Sequence, residues 1–122
     1  MDRASRGRLS HSSGVGAEEA VCAALTGEGW TVLGRRMRTA AGEVDIAAEK
    51  DGLLAIIEVK HRPTLAGAAY ALTRRQQIRL LAAAEILLGE NPGWGQSGVR
   101  FDVVVVDHTG AVRRIADAFR LE

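Results

Sequence analysis

Two apolar-rich segments follow one another in the middle of the chain, residues 42–50 and residues 53–60, and only Asp51 and Gly52 separate them. An Asp-Gly pair between two such segments is the strongest short-range signal for a β-hairpin with a two-residue type I′ turn, because both turn positions require a positive φ. The pattern therefore predicts two adjacent antiparallel strands.

The predicted turn also determines which residues face one another. If the two residues that flank the turn are paired, Asp45 lies directly opposite Glu58, and Glu43 lies opposite Lys60. Side chains alternate along a strand, so these four charged groups share one face of the hairpin. The other face is predicted to be a core surface made of Val44, Ile46, Ala48, Leu53, Ala55, Ile57 and Val59.

The elements around the hairpin follow from similar patterns. A helix is predicted from Gly16 to Gly27, and a strand over residues 30–38. Residues 73–89 predict a second helix, residues 99–107 a central strand with an unbroken apolar run, and residues 111–119 a short final strand. This order predicts a single α/β domain with a central mixed β-sheet flanked by helices.

The second predicted helix has a clear start and an unusual charge distribution. Thr73 and Gln76 form a capping box, and the buried stripe is assigned to Ile78, Leu81 and Leu88 with the neighbouring alanines. Its first two turns carry cations, which the helix dipole disfavours there, whereas the exposed N–H groups favour an anion. A DNA phosphate would resolve this conflict, and the predicted nucleic-acid-binding residues are Arg74, Arg75, Arg79 and Gln77.

Two facing carboxylates are unfavourable unless a positive charge lies between them. Directly opposed strand residues have Cβ atoms about 4.5–5.5 Å apart, and like charges there destabilise the pair. Mg²⁺ or Mn²⁺, which take oxygen ligands, would satisfy Asp45 and Glu58. With Lys60 holding or activating water, this set predicts phosphodiester hydrolysis. The simpler alternative is an exposed hairpin face with one Glu43–Lys60 ion pair.

Composition sets bounds on these hypotheses. The 122 residues suffice for one core, predicted over residues 15–122, after a basic tail at residues 1–14 that is predicted to be disordered. The net charge of +1 does not indicate nucleic-acid binding, so such a surface depends on local clusters of the 16 Lys and Arg residues. A single Cys22 and the lack of an apolar run of about 20 residues predict a cytoplasmic protein without a membrane partner.

Two further groups of charged residues have two interpretations each. Arg35, Arg36 and Arg38 end the first predicted strand, and they are either phosphate ligands or solvated charges on a sheet edge. Asp102 interrupts an apolar strand, and it is either the partner of an arginine or an outer residue of the site. The sequence does not separate these interpretations.

Four segments, in this order, resemble a known family. They are GEVDI at Gly42–Ile46, EVKHR at Glu58–Arg62, LTRRQQIRLLAAAE at Leu72–Glu85 and RFDVVVVD at Arg100–Asp107. They are similar to the YraN-type family of small bacterial proteins, a branch of the PD-(D/E)XK nuclease superfamily. Val44 stands where the superfamily name has its proline.

The resemblance implies a restriction-endonuclease-like core of αβββαβ order plus a short final strand. The Asp and the Glu-x-Lys of that core correspond to Asp45, Glu58 and Lys60, and with the neighbouring Glu43 they are the predicted catalytic set. In that set the Asp and one Glu bind Mg²⁺ or Mn²⁺ with help from the Val59 carbonyl, the lysine positions water, and Glu43 accepts from the lysine or acts through water. The resemblance also implies an acidic residue near the metal on the first helix, which would be Glu18. Acids near a helix N-terminus are alternatively simple complements to the dipole.

The predicted function is metal-dependent hydrolysis of phosphodiester bonds in DNA. Branched DNA, single-stranded ends and RNA stay open as substrates, and so does a homodimer as the assembly. The alternative from a different class is a nucleic-acid-binding module of nuclease fold whose cleavage is latent or depends on a partner. Two facing carboxylates favour the enzyme, because a pure binding module has no need of them.

Overall fold

The computed structural model describes residues 13–67 and 71–120 of the chain. In these residues it contains two helices and five strands, namely α1 Ser13–Gly27, β1 Thr31–Thr39, β2 Gly42–Lys50, β3 Leu53–His61, α2 Arg74–Glu90, β4 Gly98–Val106 and β5 Val112–Phe119. The predicted order of elements is confirmed. The predicted disordered tail lies almost wholly outside the described residues, and its last two residues, Ser13 and Gly14, belong to α1.

All five strands form one sheet in the order β1-β2-β3-β4-β5. Strands β3 and β4 are parallel, and the other neighbours are antiparallel. The parallel pair requires a crossover, which α2 provides between them. The predicted α/β domain with a mixed sheet is therefore confirmed, and its architecture is consistent with a restriction-endonuclease-like fold. None of the helices that the structure describes is long and apolar enough to cross a membrane.

The hairpin between β2 and β3 forms as its sequence predicts. Asp51 and Gly52 have φ values of 52° and 81°, which are the two positive values that a type I′ turn needs. The pairing begins with Lys50 opposite Leu53 and continues to Ile46 opposite Ile57. The predicted register is thus confirmed along the inner part of the hairpin.

The two faces of the sheet carry separate apolar cores, and one strand residue lies on the face opposite to its predicted one. Ile46, Ala48, Ala55 and Ile57 pack against α1, as expected for one hairpin face. Val44, however, joins the core beneath α2 together with Ala47. The alternation of side chains is therefore interrupted between Val44 and Ile46, at the position of Asp45.

Helix α2 starts as predicted but buries a different stripe. The capping box is present, with Gln76 N donating to Thr73 Oγ1 at 3.1 Å and Thr73 N donating to Gln76 Oε1 at 2.8 Å. Ile78, assigned to the stripe, is 52% exposed. The buried residues have i, i+3, i+4, i+7 spacing and are Leu80, Ala83, Ala84 and Leu87. The predicted alanines are therefore confirmed as part of the buried stripe, Leu81 and Leu88 are partly buried beside it, and Ile78 is the residue that was placed wrongly.

Asp102 is a structural residue of the fold. It is 1% exposed, and its carboxylate accepts hydrogen bonds from Arg100 and Arg114 and from the backbone N–H of Asp117. Both arginines also lie over the ring of Trp30, 5.2 and 5.4 Å from its centroid. Of the two sequence interpretations, the structure selects the partner of an arginine.

Candidate active site

The candidate site lies where β2 and β3 separate. The described ladder between these strands ends at the pair Ile46–Ile57. Beyond this pair the backbone N–H of Val59 donates to Asp45 Oδ2 at 2.8 Å. A side-chain carboxylate of β2 thus accepts a hydrogen bond from the backbone of β3, and this bond holds Asp45 in the gap between the two strands.

The carboxyl groups of Asp45 and Glu58 interact electrostatically in this gap, and both residues are half-buried. Burial raises the pKa of Asp45 above its ordinary value, although the Val59 N–H opposes the shift. Burial also raises the pKa of Glu58, and the negative charge of Asp45 adds to that effect. The electrostatic field of the site therefore disfavours two ionised carboxylates and favours a bound proton or cation.

Lys60 belongs to the same group of residues. Its Nζ lies 3.1 Å from Glu58 Oε2, and the two side chains are only 18% and 16% exposed. The predicted ladder pairs Asp45–Glu58 and Glu43–Lys60 are both wrong, because the ladder ends at Ile46–Ile57 before it reaches either of them. Glu43 is instead paired with Arg38 on β1, with 3.5 Å between Glu43 Oε2 and Arg38 Nε.

Helix α1 brings a third acidic residue to the site. Glu18 is 4% exposed, and the pKa of its carboxyl is raised by burial and, after that, by the charge of Asp45. Because α1 begins at Ser13, Glu18 is not in the first turn, which removes the interpretation that it merely complements the helix dipole. The structure thus brings Glu18 close to Asp45, and its role in metal binding stays a prediction.

The buried carboxylate of Glu18 is incompletely satisfied. Arg36 Nε lies 3.2 Å from Glu18 Oε1, yet Oε1 has no hydrogen-bond partner among the described residues. The contact is therefore an ion pair without the geometry of a hydrogen bond. Sequence reasoning did not distinguish Arg36 from Arg35 and Arg38, and the pattern of the strand contains no signal that would have done so.

The oxygen donors at the site suit a hard divalent cation. Asp45 and Glu58 supply two carboxylates, and the hydrogen bond from Val59 to Asp45 keeps the backbone of Val59 beside them. No group of three or more His, Cys, Asp or Glu side chains within residues 13–67 and 71–120 is arranged to hold a metal. A metal at this site would therefore need a backbone carbonyl or water to complete its ligands, as Mg²⁺ sites in proteins commonly do.

The predicted nucleic-acid-binding residues lie on the first turns of α2. Arg74, Arg75 and Arg79 are exposed. Gln77 is half-buried and makes two long hydrogen bonds of 3.4 Å, one to Leu72 O and one from Arg74. The assignment of these four side chains to nucleic acid stays a prediction.

Arg79 connects this helix to the strand of the candidate site. A Cβ added to Gly42 would lie 3.1 Å from the Cγ and Cδ atoms of Arg79. Gly42 also has a φ of 145°, a conformation that side-chain-bearing residues rarely adopt. The aliphatic part of Arg79 therefore lies on the backbone at the start of β2, three residues before Asp45.

The order of elements and the sheet topology define the class of this protein, a small α/β domain whose architecture is consistent with a restriction-endonuclease-like core. Residues 17–106 match the model of a family described as "Uncharacterised protein family UPF0102", and the chain belongs to that family. The YraN-type resemblance is thereby confirmed, and the fold is consistent with the PD-(D/E)XK superfamily.

Individual relatives have the same family name. A UPF0102 protein of Granulibacter bethesdensis is 58% identical over 117 residues, covering 96% of this chain and 74% of the relative. A UPF0102 protein of Azorhizobium caulinodans is 39% identical over 117 residues, covering 96% of this chain and 89% of the relative. One of Acidiphilium cryptum is 40% identical over 122 residues, with coverage of 98% and 93%. The similarity therefore extends over almost the whole chain.

Proposed function

We propose that this protein is a metal-dependent nuclease that hydrolyses phosphodiester bonds in DNA. The observation that carries the proposal is the grouping of Asp45, Glu58 and Lys60 at the point where β2 and β3 separate. Burial raises the pKa values of both carboxyls, and the charge of Asp45 raises that of Glu58 further. A site built in this way gains from a cation, and an exposed hairpin face without function would not need to bury two acids together.

Asp45, Glu58 and the carbonyl of Val59 would hold Mg²⁺ or Mn²⁺. Bound there, the ion would neutralise charge that develops on the phosphate. Lys60 would hold the attacking water by a hydrogen bond from its ammonium, which the 3.1 Å contact with Glu58 Oε2 keeps at the site. Glu43 is an outer neighbour of this group, since its carboxylate affects the pKa values of Asp45 and Glu18.

The DNA backbone would lie along the start of α2. Arg74, Arg75 and Arg79 are exposed there, Gln77 is a neighbour in the same turns, and Arg79 extends over the first residue of β2. Phosphates at this end of the helix would meet cations and helix N–H groups together. This path would lead the DNA strand from the N-terminus of α2 towards the carboxylates of Asp45 and Glu58.

The test is a cleavage panel of linear, nicked, flapped and four-way DNA, and an RNA strand, in Mn²⁺ and in a chelator. We expect metal-dependent cutting of at least one DNA by the wild type. Lys60→Met keeps the aliphatic stem but removes the ammonium, and it should retain DNA binding and lose nearly all cleavage, since water positioning matters chiefly in the transition state. Lys50→Met is the matched control, because Lys50 is exposed on the same hairpin and donates to Glu28 O.

Two results would contradict the proposal. Cleavage by Lys60→Met at the rate of the Lys50→Met control would remove Lys60 from the chemistry. A wild type that binds DNA in Mn²⁺ but cuts no member of the panel would favour the alternative, a nucleic-acid-binding module of nuclease fold. Cutting of RNA alone would keep the site and change the substrate.

A further inference from the structure

Arg36 has a backbone conformation that is unfavourable for its residue type. Its φ is 49°, in the left-handed region where a Cβ is close to the carbonyl oxygen. Among the described residues the other non-glycine positions with positive φ are Asp51 and Asp117. Aspartate tolerates this region because its short side chain can bond locally, and Asp51 belongs to a turn that requires it. Arg36 has neither reason.

The unusual conformation lies beside the candidate active site. In the β1–β2 ladder, Arg35 pairs with Ile46 and Met37 pairs with Val44. The two residues between these pairs are Arg36 and Asp45. The backbone irregularity of the edge strand therefore occurs at the level of the metal-binding candidate, where β2 also interrupts its own alternation.

The side chain of Arg36 is only partly used by the fold. Its Nε is 3.2 Å from Glu18 Oε1, and the side chain is 51% exposed. The guanidinium contacts Glu18 through its Nε, and within residues 13–67 and 71–120 no hydrogen bond reaches Glu18 Oε1. A guanidinium has five N–H donors in a planar fork. Most of its capacity to bind an anion is therefore available to a ligand in solvent.

A purely structural partner for a buried glutamate would be arranged differently. A buried carboxylate is stabilised when its oxygens accept well-aligned hydrogen bonds, for which arginine offers a bidentate geometry. Arg36 leaves Glu18 Oε1 without any hydrogen bond. Its position is better explained by a second anion that the guanidinium binds with its exposed N–H groups.

We propose that Arg36 is a phosphate-binding residue for the nucleic-acid strand at the Asp45–Glu58 site. The inference rests on the proposed function and adds to it a contact on β1 beside α1, whereas the other predicted phosphate ligands lie on α2, which packs on the other face of the sheet. The ligand is the phosphodiester group, whose two free oxygens match the guanidinium fork. The nucleic-acid strand would thus be bound by Arg36 on β1 as well as by Arg79 on α2.

The test measures DNA binding of Arg36→Asn, because asparagine tolerates a positive φ and carries no charge. Arg113→Asn removes one exposed charge from the opposite edge strand, β5, and is the matched control. Both are made in the Lys60→Met background so that the DNA stays intact. The probes are a fluorescent 20-nucleotide strand and its duplex, in Mn²⁺ over a range of salt concentrations.

We expect Arg36→Asn to weaken binding about tenfold, as the loss of a charge-assisted hydrogen bond implies. Its salt slope should fall by roughly 0.9 on the duplex and 0.7 on the single strand, the values for one neutralised phosphate. Arg113→Asn should leave both quantities unchanged. Binding by Arg36→Asn equal to that of the control would overturn the inference.

A second background separates a phosphate ligand from a structural partner of Glu18. In Glu18→Gln the buried charge is absent, so a merely structural Arg36 has no further role, and Arg36→Asn should then cost no binding. A phosphate ligand predicts that the tenfold loss persists in that background. If the wild type neither binds nor cuts any probe, the proposed function fails together with the inference. If the wild type cuts DNA and Arg36→Asn binds normally, the inference alone fails.

Discussion

Replacing Asp45 with Asn tests the central electrostatic argument, because its effect on stability should change sign when metal is added. The Asn side chain keeps an oxygen that can accept the hydrogen bond from Val59 N, which is 2.8 Å long in the wild type, and it removes the charge that faces Glu58. Relief of a like-charge cross-strand pair is worth about 0.2–1 kcal/mol. In a chelator, Asp45→Asn should therefore melt about 1–5 °C above the wild type.

Added Mn²⁺ should reverse this order. A ligand that binds only the native state stabilises it by RT ln(1 + [L]/Kd), which is about 2.7 kcal/mol at one hundred times Kd. The wild type should gain this stabilisation, and Asp45→Asn should gain almost none because it lacks one carboxylate ligand. In saturating Mn²⁺ the wild type should therefore be the more stable protein.

The assay is a thermal melt of each protein in a chelator and in a series of Mn²⁺ concentrations. Asp51→Asn is the control, since Asp51 is exposed in the turn of the same hairpin at a φ of 52° that asparagine also adopts. It should melt like the wild type in both conditions. Equal Mn²⁺-induced shifts of the melting temperature in Asp45→Asn and the wild type would refute the metal assignment. If Asp45→Asn is less stable than the wild type in a chelator, the argument from repulsion between Asp45 and Glu58 is refuted.

Three further predictions concern the charge, pH and packing of the molecule. Replacing the exposed Arg74, Arg75 and Arg79 of α2 with Ala should weaken DNA binding equally across sequences. The slope of log affinity against log salt concentration should fall by roughly 0.9 for each phosphate that is no longer bound, and binding titrations of these variants at several salt concentrations measure it. Because the pKa values of Asp45 and Glu58 are raised in the fold, their contribution to stability is fully present below their unfolded values, near pH 4, and is lost as pH rises through the raised folded values. In a chelator, the wild type should therefore become more stable as the pH falls from neutral towards about 4, and this gain should exceed that of Asp45→Asn. Denaturant titrations at several pH values measure the gain, and an identical pH dependence of the two proteins would contradict the raised pKa values. Leu80→Ala should destabilise the fold by about 2–5 kcal/mol, because Leu80 lies on the face of α2 that is buried against the sheet. Ile78→Ala should cost less than about 1 kcal/mol, because Ile78 is exposed. Comparable losses of stability in the two variants would contradict the observed orientation of the helix.

Local interactions explain what the sequence determined by itself. The Asp51-Gly52 turn needs two positive φ values, and that requirement sets the register from Lys50–Leu53 to Ile46–Ile57 without help from distant residues. The capping box at Thr73 joins residues only three positions apart. These features, and the unbroken apolar run of β4, depend on neighbours along the chain and were therefore predictable.

The other features of the fold and of the candidate site depended on contacts between residues that are distant in the sequence. Which stripe of α2 is buried was decided by the sheet beneath it, since the helix presents two leucines and two alanines to that surface and leaves Ile78 exposed. The approach of Glu18 to Asp45 joins a helix to a strand 27 positions away, and the charge of Asp45 accordingly helps to raise the pKa of Glu18. The departure of β2 from β3 at Asp45 likewise follows from the tertiary structure, because a turn determines pairing beside it and cannot determine where two strands separate. The sequence by itself therefore determined the hairpin that carries Asp45, Glu58 and Lys60, whereas the packing of α1 and β1 against it decided which further charges, Glu18 and Arg36, surround the site.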